Sequence, residues 1–435
     1  MVLQEVHWLR SHRAKLCPML KRAALDWYRL NRHYPCFLLK PFRILKQRFH
    51  KIPVIVQVED TRDPASIYSI AALANCQVIR ELPLINGFAT KVNAKSLEKL
   101  VQSVHVKRVS YDREVRAVLD VASSAIGSAA LWETGLTGKG IVVAVLDTGI
   151  YPHPDLAGRI VGFKDFVKHK SVPYDDNGHG THVAGDIAAN GRESEFRYRA
   201  PAPEAALVGV KVLDKMGIGS LSRVIEGIQW CIENKEVYGI KVLNLSLGSE
   251  AADSYVNDPV CQAVEKAWQA GIVVCAAAGN SGPEAGTINS PGIDPVVITV
   301  GALDDRNTTS LEGSLVADFS SRGPTIDGLV KPDLLSPGVN IISLRSPGSK
   351  LDKTNKQSRV NKWYASLSGT SMATPVCAGA VAQLLQSNPA LTPDQVKARL
   401  VESAIKLEDL APNVQGAGIL HVPGAAALQE GSKVI

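Results

Sequence analysis

Three short blocks of the chain hold residue types that, brought together in space, carry out nucleophilic acyl transfer. They are Asp147-Thr-Gly149, His179-Gly-Thr-His-Val-Ala-Gly185 and Ser368-Gly-Thr-Ser371-Met-Ala-Thr-Pro375. A serine hydroxyl is a weak nucleophile by itself. An imidazole must take its proton, and a carboxylate must fix the imidazole tautomer and stabilise the cation that forms. Asp147, His179 and Ser371 supply these types, with His182 one helical turn beyond His179 as the competing histidine. Lipases and esterases that use the same trio usually carry G-x-S-x-G, whereas this serine sits in Gly369-Thr-Ser371-Met-Ala373.

Such groups need rigid elements to hold them. Ile141–Leu146, Ala206–Val212, Val242–Ser246, Ile272–Ala277 and Val296–Val300 are continuous apolar runs, the pattern of strands covered on both faces. Ser222–Asn234, Pro259–Ala270 and Pro375–Gln386 read as helices between and after them. The expected fold is therefore α/β, a mostly parallel sheet flanked by helices, and in such sheets chemistry gathers at the carboxyl ends of the strands. Asp147 follows one such strand, and Asn280, in Ala277-Ala-Gly-Asn280, follows another.

From about residue 120 to 430 the chain resembles the subtilisin-like (S8) peptidases. The order Asp, His, Ser is theirs, distinct from that of chymotrypsin and of the α/β-hydrolases. Further blocks fall in register: His153-Pro-Asp-Leu156, Asn244-Leu-Ser-Leu-Gly248, Phe319-Ser-Ser-Arg-Gly-Pro324, Lys331-Pro-Asp333, Ser336-Pro-Gly338 and Gly416-Ala-Gly-Ile419. The resemblance implies a serine endopeptidase with Asp147 as orienting carboxylate, His179 as base then acid, and Ser371 as nucleophile. It implies an oxyanion hole made by the Asn280 side chain and the Ser371 N–H, and it leaves His182 a structural role. Extended substrate would lie between Gly219-Ser220-Leu221 and Ser246-Leu247-Gly248, with Ala277, Ala278 and Gly279 walling the pocket for the residue before the scissile bond. The small residues of that wall suit a large apolar side chain, and no acid there calls for lysine or arginine. A non-catalytic relative would be expected to have lost one of the four chemical groups, and all four are present.

Catalysis by this trio requires no cofactor, and no metal ligand set is expected. A structural calcium is the one cation that the resemblance raises. Asp155 matches a calcium-ligating aspartate of the family, but Asn190–Arg199 sets basic residues where neutral oxygen ligands are wanted. Calcium elsewhere is left open.

Upstream, Pro53–Val58, a helix capped by Asp63-Pro64 and running to about Asn75, Gln77–Leu82, Gly87–Val92, a helix from Ala94 to Val104, and Val106–Val109 follow the β-α-β-β-α-β order of ferredoxin-like units. Residues 51–115 thereby resemble the inhibitory propeptides of the same family. Residues 116–130 read as a linker with a processing site between about Arg116 and Ser128, and residues 131–435 as the peptidase domain. Residues 1–50 form a basic helical extension with 11 Lys/Arg against Glu5 and Asp26, so most of the formal charge of +6 resides there. Its apolar residues are broken by Pro18, Pro35 and Pro41, which favours packing on the rest of the chain over a membrane-surface helix. No recognition motif supports nucleic-acid binding. No run approaches a transmembrane span, the start carries scattered basic residues instead of a signal sequence, and the seven cysteines are odd in number and dispersed. The expected compartment is the cytoplasm, as in the intracellular branch of the family, and the expected partners are protein substrates and the chain's own prodomain.

Overall fold

The computed structural model describes residues 7–12, 15–16, 18–28, 46–59, 65–82, 86–111 and 120–428. Two compact units divide the chain, Met1–Arg116 and Ala117–Ile435.

In the first unit, strands β1 (Ile52–Val58), β2 (Arg80–Leu82), β3 (Gly87–Val92) and β4 (Val106–Tyr111) form an antiparallel sheet in the order β2-β3-β1-β4. Helices α1 (Ala65–Leu73) and α2 (Ala94–Gln102) connect them in the sequence expected. Along β1, Ile52, Val54, Val56 and Val58 are buried and the residues between them are half-exposed, so the period of two gives one core face. Asn93 caps α2 by accepting the Ser96 N–H at 2.9 Å. The Asp63-Pro64 start expected for α1 lies outside the described residues. Trp8, Leu9, Leu20 and Trp27, from helices His7–Ser11 and Pro18–Asp26 and the turn after them, share one core with Val54, Phe88, Leu97 and Val109. These apolar residues of the basic extension thus face a protein interior, whereas Leu25 and Phe49 are exposed, and Lys15 hydrogen-bonds the Ser103 carbonyl at 2.7 Å.

The second unit is built on an eight-stranded sheet. Its strands are β5 (Val142–Asp147), β6 (Ile160–Asp165), β7 (Ala206–Lys211), β8 (Ile240–Leu245), β9 (Val273–Ala277), β10 (Ile298–Asp304), β11 (Leu315–Val316) and β12 (Leu334–Pro337). The order β6-β7-β5-β8-β9-β10 is parallel throughout. Beyond it, β10 also pairs with antiparallel β11 and parallel β12. Strand β5, in the centre, was legible because five of its six residues are fully enclosed. Strand β6, which the apolar runs did not reveal, lies at the edge with a single buried residue. Helices α3 (His179–Ala188), α4 (Leu221–Glu233), α5 (Pro259–Gln269) and α6 (Thr370–Ser387) cover the sheet, and an antiparallel hairpin, β13 (Ile341–Leu344) and β14 (Tyr364–Leu367), packs beside α3.

Helix α6 begins five residues before the start expected at Pro375, which lies inside it. A proline is best tolerated in the first turn of a helix. Here its ring sits further in, where the missing N–H leaves the Ser371 carbonyl without its helical partner. Within the expected processing segment, Asp120–Ala125 is helical, and Ala122 and Ile126 belong to the core of the second unit. A cut there requires unwinding that helix. Residues 116–119 lie outside the described residues.

Candidate active site

Strand β5 delivers Asp147 to the carboxyl edge of the sheet with no exposed surface. Its carboxylate accepts the His179 Nδ1–H at 2.8 and 2.9 Å and the Thr148 N–H at 2.7 Å. His179 opens α3, whose amino end closes tightly onto the strand. A Cβ on Gly180 would lie 2.3 Å from the Gly149 carbonyl and 3.1 Å from the Asp147 carboxylate, so only glycine allows this approach. Burial alone would push the imidazole pKa down. The Asp147 carboxylate, by charge and hydrogen bond, outweighs it, Asp175 and Asp186 add to the pull, and the net shift is upward.

Two residues that sequence reasoning missed hold this arrangement. The buried Asp175 accepts five hydrogen bonds: the Thr148 hydroxyl at 2.9 Å, the Asn177 and Gly178 N–H groups, and the Thr181 N–H and hydroxyl. Thr148 Oγ1 in turn accepts the Gly180 N–H at 2.9 Å, so the loop after β5 and the start of α3 are stitched together. Lys211, fully buried at the end of β7, donates to the Thr148 and Leu213 carbonyls and to Asp176 at 2.9 Å. Each left a trace in the sequence. Asp175 precedes a helix start by four residues, and Lys211 is a lone charge in an apolar run. His182 lies one turn along α3, enclosed, bonded to Asp186 at 3.0 Å and to the Ile341 and Ala365 carbonyls, and takes no part in the site.

Ser371 occupies the first turn of α6 and is half-buried; its hydroxyl donates to the Ser246 carbonyl at 3.1 Å. The resting hydroxyl is therefore directed at the end of β8 rather than at the imidazole, a common arrangement before substrate arrives. Asn280 follows β9 and is exposed. Its Oδ1 accepts the Thr370 N–H at 2.9 Å and the Thr370 hydroxyl at 3.0 Å, which turns its NH2 group outward. The point where a Cβ on Gly369 would sit lies 3.5 Å from Asn280 Nδ2 and 3.7 Å from the Ser371 nitrogen, so the two donors converge. Gly369 has φ +157° and ψ 159°, a region essentially confined to glycine.

A cavity of about 490 Å³ opens beside His179. Gly219, Ser220, Leu221, Ser246, Leu247 and Gly248 are among the residues that line it. Leu213, Val224 and Val260 supply further apolar surface. Ala277, Ala278 and Gly279 do not line this cavity. All three are buried, with the Gly279 carbonyl bonded to the Ser321 N–H.

Among the described residues no cluster of His, Cys, Asp or Glu could hold a metal. At Asp155 the donors are already used. Its carboxylate accepts the Tyr364 hydroxyl at 2.5 Å and the Glu193 N–H at 2.9 Å, and the Arg159 guanidinium bonds its carbonyl together with those of Ala188 and Ala205. A guanidinium held against this residue, with each carboxylate oxygen already accepting a hydrogen bond, does not fit a calcium ion.

Comparison with known proteins agrees with this architecture. The sequence model of the subtilase family matches residues 138–422. The chain is 48% identical to "Serine protease AprX" of Bacillus subtilis (strain 168), over 96% of this chain and 98% of that one. It is 37% identical to the "Thermostable alkaline protease" of Halalkalibacterium halodurans, over 78% and 82% of the two chains. Among solved structures, "S41 Psychrophilic Protease" superposes with a TM-score of 0.55 at 34% identity, and "Sphericase" with 0.54 at 32%. Each covers 66% of this chain and 92% of its own. The chain belongs to the subtilase family and is a subtilisin-like serine endopeptidase.

Proposed function

We propose that the chain cleaves peptide bonds through an acyl-enzyme formed on Ser371 and that residues 51–115 serve as its intramolecular inhibitor. The observation that carries the catalytic reading is the Asp147–His179 pair, in which Nδ1–H donates to a buried carboxylate and Nε2 is left as the base. In the reaction, the Ser371 hydroxyl leaves the Ser246 carbonyl, its oxygen bonds the substrate carbonyl carbon, and its proton passes to Nε2. The carbonyl oxygen takes up negative charge between the Asn280 amide and the Ser371 N–H. Breaking the C–N bond sends the proton from Nε2 to the leaving amine. Water then repeats the cycle in reverse roles and restores the serine. The shared triad chemistry extends to small esters.

The prodomain reading rests on the four-stranded β-α-β-β-α-β unit directly upstream. In this reading the chain cuts itself between about Arg116 and Ser128 and the severed unit stays bound as a product-like inhibitor. We place the enzyme in the cytoplasm. The five described cysteines are free thiols, as a reducing compartment maintains, and no helix among the described residues is long and apolar enough to cross a membrane. Intact mass spectrometry with a fluorophosphonate probe tests both proposals. Wild type should gain one adduct and lose its first 115 to 130 residues or so, and Ser371→Ala should do neither. Probe uptake without shortening would overturn self-processing, and a labelled Ser371→Ala would overturn the nucleophile.

The Asp155 cluster does the work of a metal with neutral and cationic side chains. In a Ser371→Ala background, which prevents autolysis, Tyr364→Phe is expected to destabilise the fold by about 2 kcal/mol, because it leaves a buried carboxylate oxygen unpaired. Chemical denaturation checks this. An unchanged midpoint, or a parent that loses stability in EDTA, would refute the substitution of hydrogen bonds for calcium.

A further inference from the structure

The segment between β13 and β14, residues 345–363, is absorbed by none of the roles above. Its composition, six Lys/Arg against Asp352, suggests a solvated loop. The structure gives it a defined shape. Asp352 is buried and binds Arg345 at 2.5 Å, Arg359 at 2.7 Å and the Gly348 N–H at 2.8 Å, closing the loop on itself. Burial alone would raise that carboxyl, but the Arg345 hydrogen bond and both guanidinium charges bring it down to about 2, so the closure stays ionised at any working pH.

The closed loop is moored to the residues just before the histidine. Ser346 Oγ donates to the Asp175 carbonyl at 2.8 Å, and the Lys350 and Leu351 N–H groups donate to the Asp176 and Asn177 carbonyls at 2.9 Å. Ser349 packs so closely on Gly178 that a Cβ there would meet its hydroxyl at 2.6 Å. These contacts leave one side chain in an unusual place. Leu351 is half-buried, belongs to no hydrophobic core cluster, and lines the 490 Å³ cavity beside Asn177, His179 and Leu213. A leucine oriented by three hydrogen bonds to the residues before His179, with its side chain on a cleft instead of in the core, is placed to meet a ligand.

We propose that residues 345–363 form a specificity wall of the substrate groove, in which Leu351 and Leu213 grip the peptide side chain lying against His179 and select for an apolar residue there. This rests on the catalytic reading above. The two leucines reach the cavity from different elements, the moored loop and the segment just after β7, so its selectivity is separable from the chemistry at Ser371.

The test measures kcat/KM on peptides varied one position at a time between Gly and Leu. Wild type should prefer Leu by about tenfold or more at one position near the scissile bond, the discrimination ordinary for an apolar subsite. Leu351→Ala should bring that ratio to within about twofold of unity while preferences elsewhere persist, and Leu351→Met should retain most of it. An unchanged ratio in Leu351→Ala, or an equal loss at every position, would overturn the proposal. Wild type that takes up no fluorophosphonate would instead sink the catalytic reading on which it stands.

Discussion

A chain carrying His179→Ala is expected to hydrolyse peptide about a million-fold more slowly than its parent, and adding Ser371→Ala should cost almost nothing further; the size is that found for the relative subtilisin. The non-additivity follows from geometry. Ser371 is a nucleophile only when Nε2 takes its proton, and Nε2 is aimed only while Asp147 holds Nδ1–H at 2.8 and 2.9 Å. Without the base the hydroxyl remains an alcohol bonded to the Ser246 carbonyl, so deleting it removes nothing that was in use. What survives is stabilisation by the oxyanion donors and by binding. The same pair sets the pH profile. Because Asp147 raises His179, activity should climb through a value above that of an ordinary histidine, since only neutral imidazole accepts the proton. Asp147→Asn should move that limb downward while also depressing kcat. The linkage to folding has the opposite slope. The imidazolium–carboxylate attraction is fully present below the unfolded histidine value and is lost as pH rises through the folded one. Steady-state kinetics from pH 5 to 9 on the single and double variants would expose an additive pair, which would break the unit apart.

The features legible in the sequence were those with a strong local signature. Strands β5, β7, β8 and β9 are largely enclosed on both faces and so read as mainly apolar runs, which makes them visible without knowledge of their neighbours. The Asp147, His179 and Ser371 blocks are short contiguous motifs, whereas the role of Asn280 came only from the resemblance to the subtilisin-like peptidases, since its place after a buried strand suits a turn former equally well. Features made by distant segments were silent. β6 and β14 have mixed composition because only part of each is covered, and β13, though buried, is only four residues long. Asp175 and Lys211 owe their roles to partners elsewhere: Thr148 is 27 residues from Asp175 and 63 from Lys211 along the chain. Leu351 was hidden for the same reason, since nothing in a basic loop says that its one leucine reaches a cleft formed 170 residues earlier. Pro375 misled in a different way. The sequence reads as a helix starting there, whereas the helix begins at Thr370, which leaves the Ser371 N–H in the first turn, free of a helical partner.

Asn280→Ala should lower kcat by about 10² to 10³, a range itself measured in subtilisin, with kcat and kcat/KM falling together. The Nδ2 donor has little to offer a planar ground-state carbonyl and most to offer an oxygen that has gained charge, so KM should scarcely move. Orientation is what makes the donor effective. Oδ1 accepts both the N–H and the hydroxyl of Thr370, and an amide fixed at its oxygen end pays no reorganisation when charge appears at the nitrogen end. Thr370→Val, which removes the hydroxyl but keeps the 2.9 Å N–H contact, should therefore weaken kcat by roughly tenfold, less than losing the donor outright. Asn280→Asp should be worse than Asn280→Ala, because a carboxylate beside the forming oxyanion adds repulsion to the missing bond. The competing role for Asn280 is that of a turn former after β9, and it makes the contrary prediction. Alanine would then lower the denaturation midpoint and leave the kcat of the folded fraction intact. Asn280 is exposed, so the alanine variant should fold, and paired kinetics and denaturation on that variant decide between a group that shapes a loop and one that holds charge in the transition state.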